Sequence, residues 1–292
     1  MPAVFVFLIF IVLAYLTGAV LAYPLFLALD PFLELEYRKY LTYATLLNGI
    51  LVSAIYLRTY SLLSFKAFGF SGSRGAFIKV LLRASAYGIL IILLIELILY
   101  SLGIHELDSR RSYTLDEFAI RLLKAVITGL LISLLEEAIF RGGLFAGLHK
   151  KAGVTVAVVL SSLLYSAVHF IRYGQVPQGM EIGWTTGLQM LPDAFRRFYE
   201  WSIADYFLTL FAFGVLLSLL RLRHGTLAAC IGLHAGVVMA IKVSDYYGQR
   251  TYSSQFEYLV SQYNSTFGWI SFGVMLACIS FYYLRYSRQV KP

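Results

Sequence analysis

Apolar runs of about 20 residues recur along the whole chain, the length an α-helix needs to cross a hydrocarbon core about 30 Å thick. The chain is 59% hydrophobic and only 14% charged. So few polar residues do not cover a water-soluble surface of this size. The expected fold is an all-α polytopic membrane protein of about eight transmembrane helices, at approximately 3–29, 41–63, 78–101, 121–148, 153–171, 204–222, 226–243 and 265–284. Residues 1–292 read as one transmembrane domain, without a soluble domain, low-complexity linker or internal repeat. The first run is too long for the apolar core of a secretory leader and no Lys or Arg precedes it, so it is expected to be retained.

Charge sets the expected orientation. The connections 58–79, 149–152 and 221–225, with the tail 285–292, carry eleven Lys and Arg and no Asp or Glu. The alternate connections hold Glu34, Glu36, Glu106, Asp108, Asp116, Glu117, Asp193 and Glu200. Lys and Arg near span ends mark the cytoplasmic side, so both termini are expected there, in a multi-pass protein of the cell (inner or plasma) membrane. The net charge of +8 is spread over membrane flanks, where it meets anionic lipid, and asks for no nucleic-acid partner. Cys230 and Cys278 both fall within spans and suggest neither a disulfide framework nor metal-ligand spacing.

Within this apolar background, SLLEEAIFRGGLFAG (133–147) places two glutamates and an arginine at bilayer depth. Each such group costs a few kcal/mol on insertion scales, so it pairs, lines a wet cavity or does chemistry. Glu137 and Arg141 stand at i,i+4 in the favourable order and can pair on one helix face. Glu136 points about 100° away, onto the stripe of Phe140, Gly143 and Gly147. A buried carboxylate without an adjacent cation is the better base. The expectation is therefore that Glu137 and Arg141 are structural and Glu136 is chemical. Gly143 and Gly147 would admit a neighbouring helix.

Two histidines join them, His169 in LYSAVHF and His234 in GLHAG. The fourth and fifth spans meet in a tight turn near Lys151. Glu136 precedes it by about as many residues as His169 follows it, so an antiparallel hairpin puts both at one depth. His234 is mid-span in the seventh helix, where Gly232 and Gly236 are expected to leave room for the ring. Tyr165, one turn before His169, is placed to stack on it. Glu96, near the outer end of the third span, is expected to reach for headgroups.

Glu136-Glu137-x-x-x-Arg141, an aromatic-x-x-x-His element ending at His169, and His234 in a later span together resemble the CAAX protease and bacteriocin-processing (CPBP, or Abi) family of glutamic intramembrane endopeptidases. The family-like core runs over about 119–243. This chain departs from the pattern in having Tyr165 for Phe and Val238 for the Asn or Asp of the third motif. The resemblance implies that Glu136 and His169 activate a water and that His234 stabilises the oxyanion, with Glu137, Arg141 and Tyr165 structural or orienting. It implies no cofactor. Glu and two His also make a set that zinc accepts, a second option without an HExxH motif in its favour.

Taking the Lys150-Lys151 turn as cytoplasmic puts Glu136 and His169 about 24 Å along the helices from it, in the outer half of the membrane. The expected substrate is a membrane-anchored or exported protein or peptide, such as one with a C-terminal sorting tail, and the connection 172–203 would lid the cavity. The alternatives are a catalytically altered scaffold or immunity protein of the same fold, a CAAX prenyl-protein endopeptidase acting on the cytosolic side, and a transporter. The last lacks support from repeated halves.

Overall fold

The computed structural model of the chain describes residues 3–59 and 64–286. Eight long helices follow one another: α1 Ala3–Leu33, α2 Tyr37–Thr59, α3 Arg74–Ser101, α4 Leu115–Ala152, α5 Val154–Val168, α6 Ala204–His224, α7 Ala228–Tyr247 and α8 Trp269–Tyr286. The all-α polytopic class read from the sequence is the observed one. Helices α1, α3, α4, α6 and α7 are long and apolar enough to cross a membrane, and α5 and α8 are shorter apolar helices. The end of the expected second span, 60–63, lies outside the described residues.

Local chemistry sets the helix ends. Ser73 caps α3, its hydroxyl accepting from the Ala76 N–H at 3.3 Å, which satisfies one of the free donors of the first turn. Asp116 and Glu117 stand in the first turn of α4, where acids complement the helix dipole. Gly153 joins α4 to α5 at φ 85°, and Gly225 ends α6 at φ 63°, conformations that glycine adopts without the Cβ penalty.

The interior of α4 is irregular. From Ala138 to Phe145 it winds as a π-helix, and the α form resumes at Ala146–Ala152. The wider i→i+5 register breaks the regular stripe expected through Phe140, Gly143 and Gly147, although all three are buried. Such segments concentrate at functional sites. This one begins directly after Glu136 and Glu137.

Helix α7 lies between α3 and α4. A Cβ on Gly232 or Gly236 would fall on the carbonyl oxygen of Leu81 or Ser85 in α3, and one on Gly129 of α4 would come within 2.9 Å of the Ala235 carbonyl. These glycines were expected to make room for the His234 ring. Instead they seat α3 against the backbone, because residues 232 and 236 share the helix face opposite 234. Helix α6 packs on α5 and α8, and on α5 Gly214 sits against Ser162.

A second, smaller apolar cluster joins α1 and α2 to the 172–203 connection, through Ala19, Ala22, Tyr37, Leu41, Ala44, Tyr173, Met190 and Ala194. Gly187 meets the Ala19 backbone, and the hydroxyls of Tyr173 and Thr45 are 3.1 Å apart. The connection thus docks on the first hairpin. Strand β1 (His105–Leu107) pairs antiparallel with β2 (Gly248–Arg250) beyond the helix ends. Next to it, Glu96 is 5% exposed, bonded to His105 Nδ1 at 2.8 Å and to the Thr266 hydroxyl at 3.1 Å. It ties α3 to two loops rather than reaching for headgroups.

Candidate active site

Three helices and one helix end converge on a polar cluster. Helix α4 supplies Glu136, Glu137 and Arg141, α5 supplies Tyr165, and α7 supplies His234. His169 was expected inside the fifth span but follows its last helical residue, Val168. There the N–H groups of 169, 170 and 171 bond to carbonyls three residues back, the tightened turn that commonly ends a helix. The ring therefore sits on a defined but non-helical backbone.

Glu137 and Arg141 are both fully buried. Arg141 Nη1 donates to Glu137 Oε1 at 3.3 Å and Nη2 to the Gly214 carbonyl at 3.1 Å, while its guanidinium carbon lies 4.5 Å from the centre of the Tyr165 ring. Glu137 also does something the sequence did not suggest. Its Oε1 accepts from His234 Nδ1 at 2.9 Å. That bond fixes the imidazole, itself nearly buried, so that Nε2 points to Glu136 Oε2, 3.9 Å away.

On the other side, His169 Nδ1 donates to the Tyr165 carbonyl at 2.7 Å, and the Tyr165 ring lies edge-on to it, 4.7 Å between centres. His169 Nε2 then faces the same Glu136 oxygen at 3.8 Å. Glu136 is less enclosed than Glu137, its side chain 29% exposed against 0%. Its Oε2 is shielded from solvent and has no hydrogen-bond partner.

The two histidines are held differently. A backbone carbonyl keeps the His169 proton on Nδ1 and leaves Nε2 as a lone pair. At His234 the Glu137 carboxylate takes the Nδ1 position and leaves Nε2 turned towards Glu136. Both rings are anchored through Nδ1 and turn Nε2 towards Glu136. The gaps of 3.8 and 3.9 Å to Glu136 exceed a direct hydrogen bond.

Phe213, with Gly214 on α6, was missed in the sequence. Its ring lies 5.5 Å from His234 and 6.3 Å from Tyr165, and neither a phenylalanine nor a glycine in an apolar span carries a chemical signal. Val238, one turn beyond His234, is half-buried and offers no hydrogen-bond donor. Among the described residues no three His, Cys, Asp or Glu side chains are arranged to hold a metal ion.

Fold and site together define a multi-pass helical membrane protein with a Glu–His–His cluster among its spans. Residues 118–240, less than half of the chain but all of the cluster, match the Rce1-like family, described as type II CAAX prenyl endopeptidase Rce1-like. The match agrees with the resemblance to the CPBP/Abi family that the sequence motifs carry. No curated protein and no solved structure matches the chain.

Proposed function

We propose that this chain is a glutamic-type intramembrane endopeptidase. The observation that carries the reading is the unpartnered Glu136 Oε2, facing His169 Nε2 at 3.8 Å and His234 Nε2 at 3.9 Å. A water at that junction would be held by all three groups. Its oxygen attacks the scissile carbonyl carbon as Glu136, assisted by the bare Nε2 of His169, takes its proton. His234 Nε2–H donates to the developing oxyanion. The tetrahedral intermediate collapses with cleavage of the C–N bond, and the proton held by Glu136 passes to the leaving amine. Glu137, Arg141 and Tyr165 touch no reacting atom and act by holding the two imidazoles.

The segregation of acids from the Lys-rich connections supports a site opening on the outer half of the cell membrane, with both termini cytoplasmic. The 16 residues from Ala152 back to Glu136 include the π-segment, whose rise per residue is less than that of an α-helix. The depth of Glu136 is therefore somewhat under the roughly 24 Å that α geometry gives, still beyond the bilayer midplane. A membrane-anchored or exported substrate fits that side, for example one carrying a C-terminal sorting tail. The family's description favours a second reading, a prenylated protein cleaved on the cytosolic side. A reporter fused after Pro292 separates the two: a cytoplasmic reporter supports the first, an extracytoplasmic one the second.

The decisive experiment is quantitative proteomics of membrane-anchored C-termini in cells carrying wild-type protein or Glu136→Gln. The substitution keeps the shape and removes the base. A set of termini should change from processed to unprocessed, with the variant at normal abundance. An unchanged set would refute the protease reading and leave the altered scaffold.

A further inference from the structure

A cavity of about 330 Å³ with a mixed polar and apolar lining lies apart from the Glu136 cluster. It opens where α6 and α8 begin and β2 turns back. Among its lining residues are Trp201, Asp205, Arg250, Glu257, Tyr258 and Trp269. None of them belongs to the Glu136 site.

Its position fixes its surroundings. Trp201 is the first residue of one membrane-capable segment, and Trp269 begins α8. Trp201 is 93% exposed, and Tyr199, Tyr258 and Trp269 are exposed beside it. Trp and Tyr gather in this way at the headgroup level of a bilayer, where a ring meets acyl chains and a polar tip meets water. That setting suits a lipid headgroup as the occupant.

The polar lining specifies which one. Arg250 spends Nη1 on the Ser261 carbonyl at 2.8 Å and Nη2 on the Glu257 carbonyl at 3.1 Å, and its Nε has no partner. Glu257 leaves carboxylate oxygen Oε2 without a partner as well. Asp205 Oδ1 accepts from the Tyr206 N–H at 2.7 Å. The cavity is thus lined by one cation, two carboxylates and two indoles. The Arg250 guanidinium suits a phosphate. The carboxylates and indole faces suit an ammonium.

We propose that this cavity is a binding site for a zwitterionic amine phospholipid, with the primary ammonium at Glu257 and Trp269 and the phosphate at Arg250. The proposal does not depend on the protease reading.

The test uses the purified full-length protein in detergent, titrated with phosphatidylethanolamine or with phosphatidylglycerol of the same acyl chains. Binding is followed by thermal unfolding and native mass spectrometry. Phosphatidylglycerol keeps the phosphate and lacks the amine. Wild type should prefer phosphatidylethanolamine by about tenfold, the scale of one charge-assisted hydrogen bond. Glu257→Gln should erase the preference while leaving the response to phosphatidylglycerol unchanged. Trp201→Ala, which removes a side chain that is almost wholly exposed and so spares the fold, should weaken it if Glu257→Gln fails to fold. Equal affinities in wild type, or a preference that survives in the folded variants, would overturn the proposal. Glycerophosphoethanolamine, the soluble headgroup alone, separates a lipid site from a site for the free phosphoamine. Competition by it as strong as by the lipid would refute the membrane source.

Discussion

Glu137 offers the sharpest test of how this site is built, because one buried carboxylate serves two neighbours. Its side chain is 0% exposed and accepts from Arg141 Nη1 and His234 Nδ1. Glu137→Ala leaves the Arg141 guanidinium buried against only the Gly214 carbonyl, and stranding one member of a buried pair costs about 3–5 kcal/mol. The double variant Glu137→Leu/Arg141→Met removes both charges and replaces them with apolar side chains of similar size. It should recover most of that loss, since apolar replacement of a buried ion pair is often close to neutral. Activity should not recover with it. Without Glu137, His234 loses the carboxylate that orients its ring, and in the proposed mechanism loss of one oxyanion donor costs about 10²–10³ in rate. Thermal unfolding in detergent reads the first effect, and processing of the substrates found by proteomics reads the second. A double variant that is stable and fully active would refute the assignment of Glu137 to His234 and leave it a clamp. A single variant no less stable than Glu136→Gln would refute the buried pair.

Other expectations follow from the same geometry. Glu136→Gln should unfold within about 0.5 kcal/mol of wild type, because the side chain is partly exposed and makes no direct hydrogen bond. Its loss of processing should be about 10²–10⁴-fold. Gly236→Leu should destabilise by more than the roughly 1–3 kcal/mol of ordinary overpacking, because its Cβ falls on backbone of α3; expression and detergent unfolding report it. Outside the spans, Asp108 accepts from Arg110 Nε at 2.8 Å and lies 3.2 Å from Arg111 Nε. The Arg110 hydrogen bond holds its carboxyl below the usual carboxylate range. A depressed folded-state value means that the stabilisation is present above the ordinary value of about 4 and is lost as pH falls through the depressed one. Hydrogen exchange of the β1–β2 pair should therefore rise in acid, and in Asp108→Asn it should already be raised at neutral pH.

The sequence exposed those parts of the molecule whose determinants are periodic or chemically costly. Apolar length located the helices, with ends displaced by a few residues where a polar cap such as Ser73 extends a helix beyond its apolar run. Hairpin arithmetic put Glu136 and His169 at one depth, and the two side chains stand 3.8 Å apart. What it did not expose depends on tertiary contacts. The π-segment 138–145 has no compositional mark, because an i→i+5 register is chosen by what packs on the helix. The docking of 172–203 on α1 turns on one small residue, Gly187, meeting the Ala19 backbone. The second role of Glu137 was hidden because i,i+4 pairing with Arg141 accounted for its charge, and the sequence does not say that α7 crosses at that point.

Adjacent glutamates are unusual in a span, and the structure gives a reason for them: one imidazole is read from both sides. Glu137 meets His234 at Nδ1 and Glu136 faces it at Nε2. The rotation of about 100° between successive helical residues is what places two carboxylates around one ring. In the proposed mechanism the oxyanion then has a single side-chain donor, since residue 238 is Val. Position 238 lies at i+4 from His234, on the same helix face, and is half-buried. Val238→Asn adds an amide donor there with little change in volume. A missing oxyanion donor typically costs about 2.7–4 kcal/mol of barrier, so the variant should process substrate up to about 10²-fold faster, with KM little changed. The gain should vanish in the Glu136→Gln background, because the donor stabilises only what the activated water creates. Unchanged or reduced turnover in a Val238→Asn protein of normal stability would mean that another donor already fills the position, and would refute the inference that His234 acts alone.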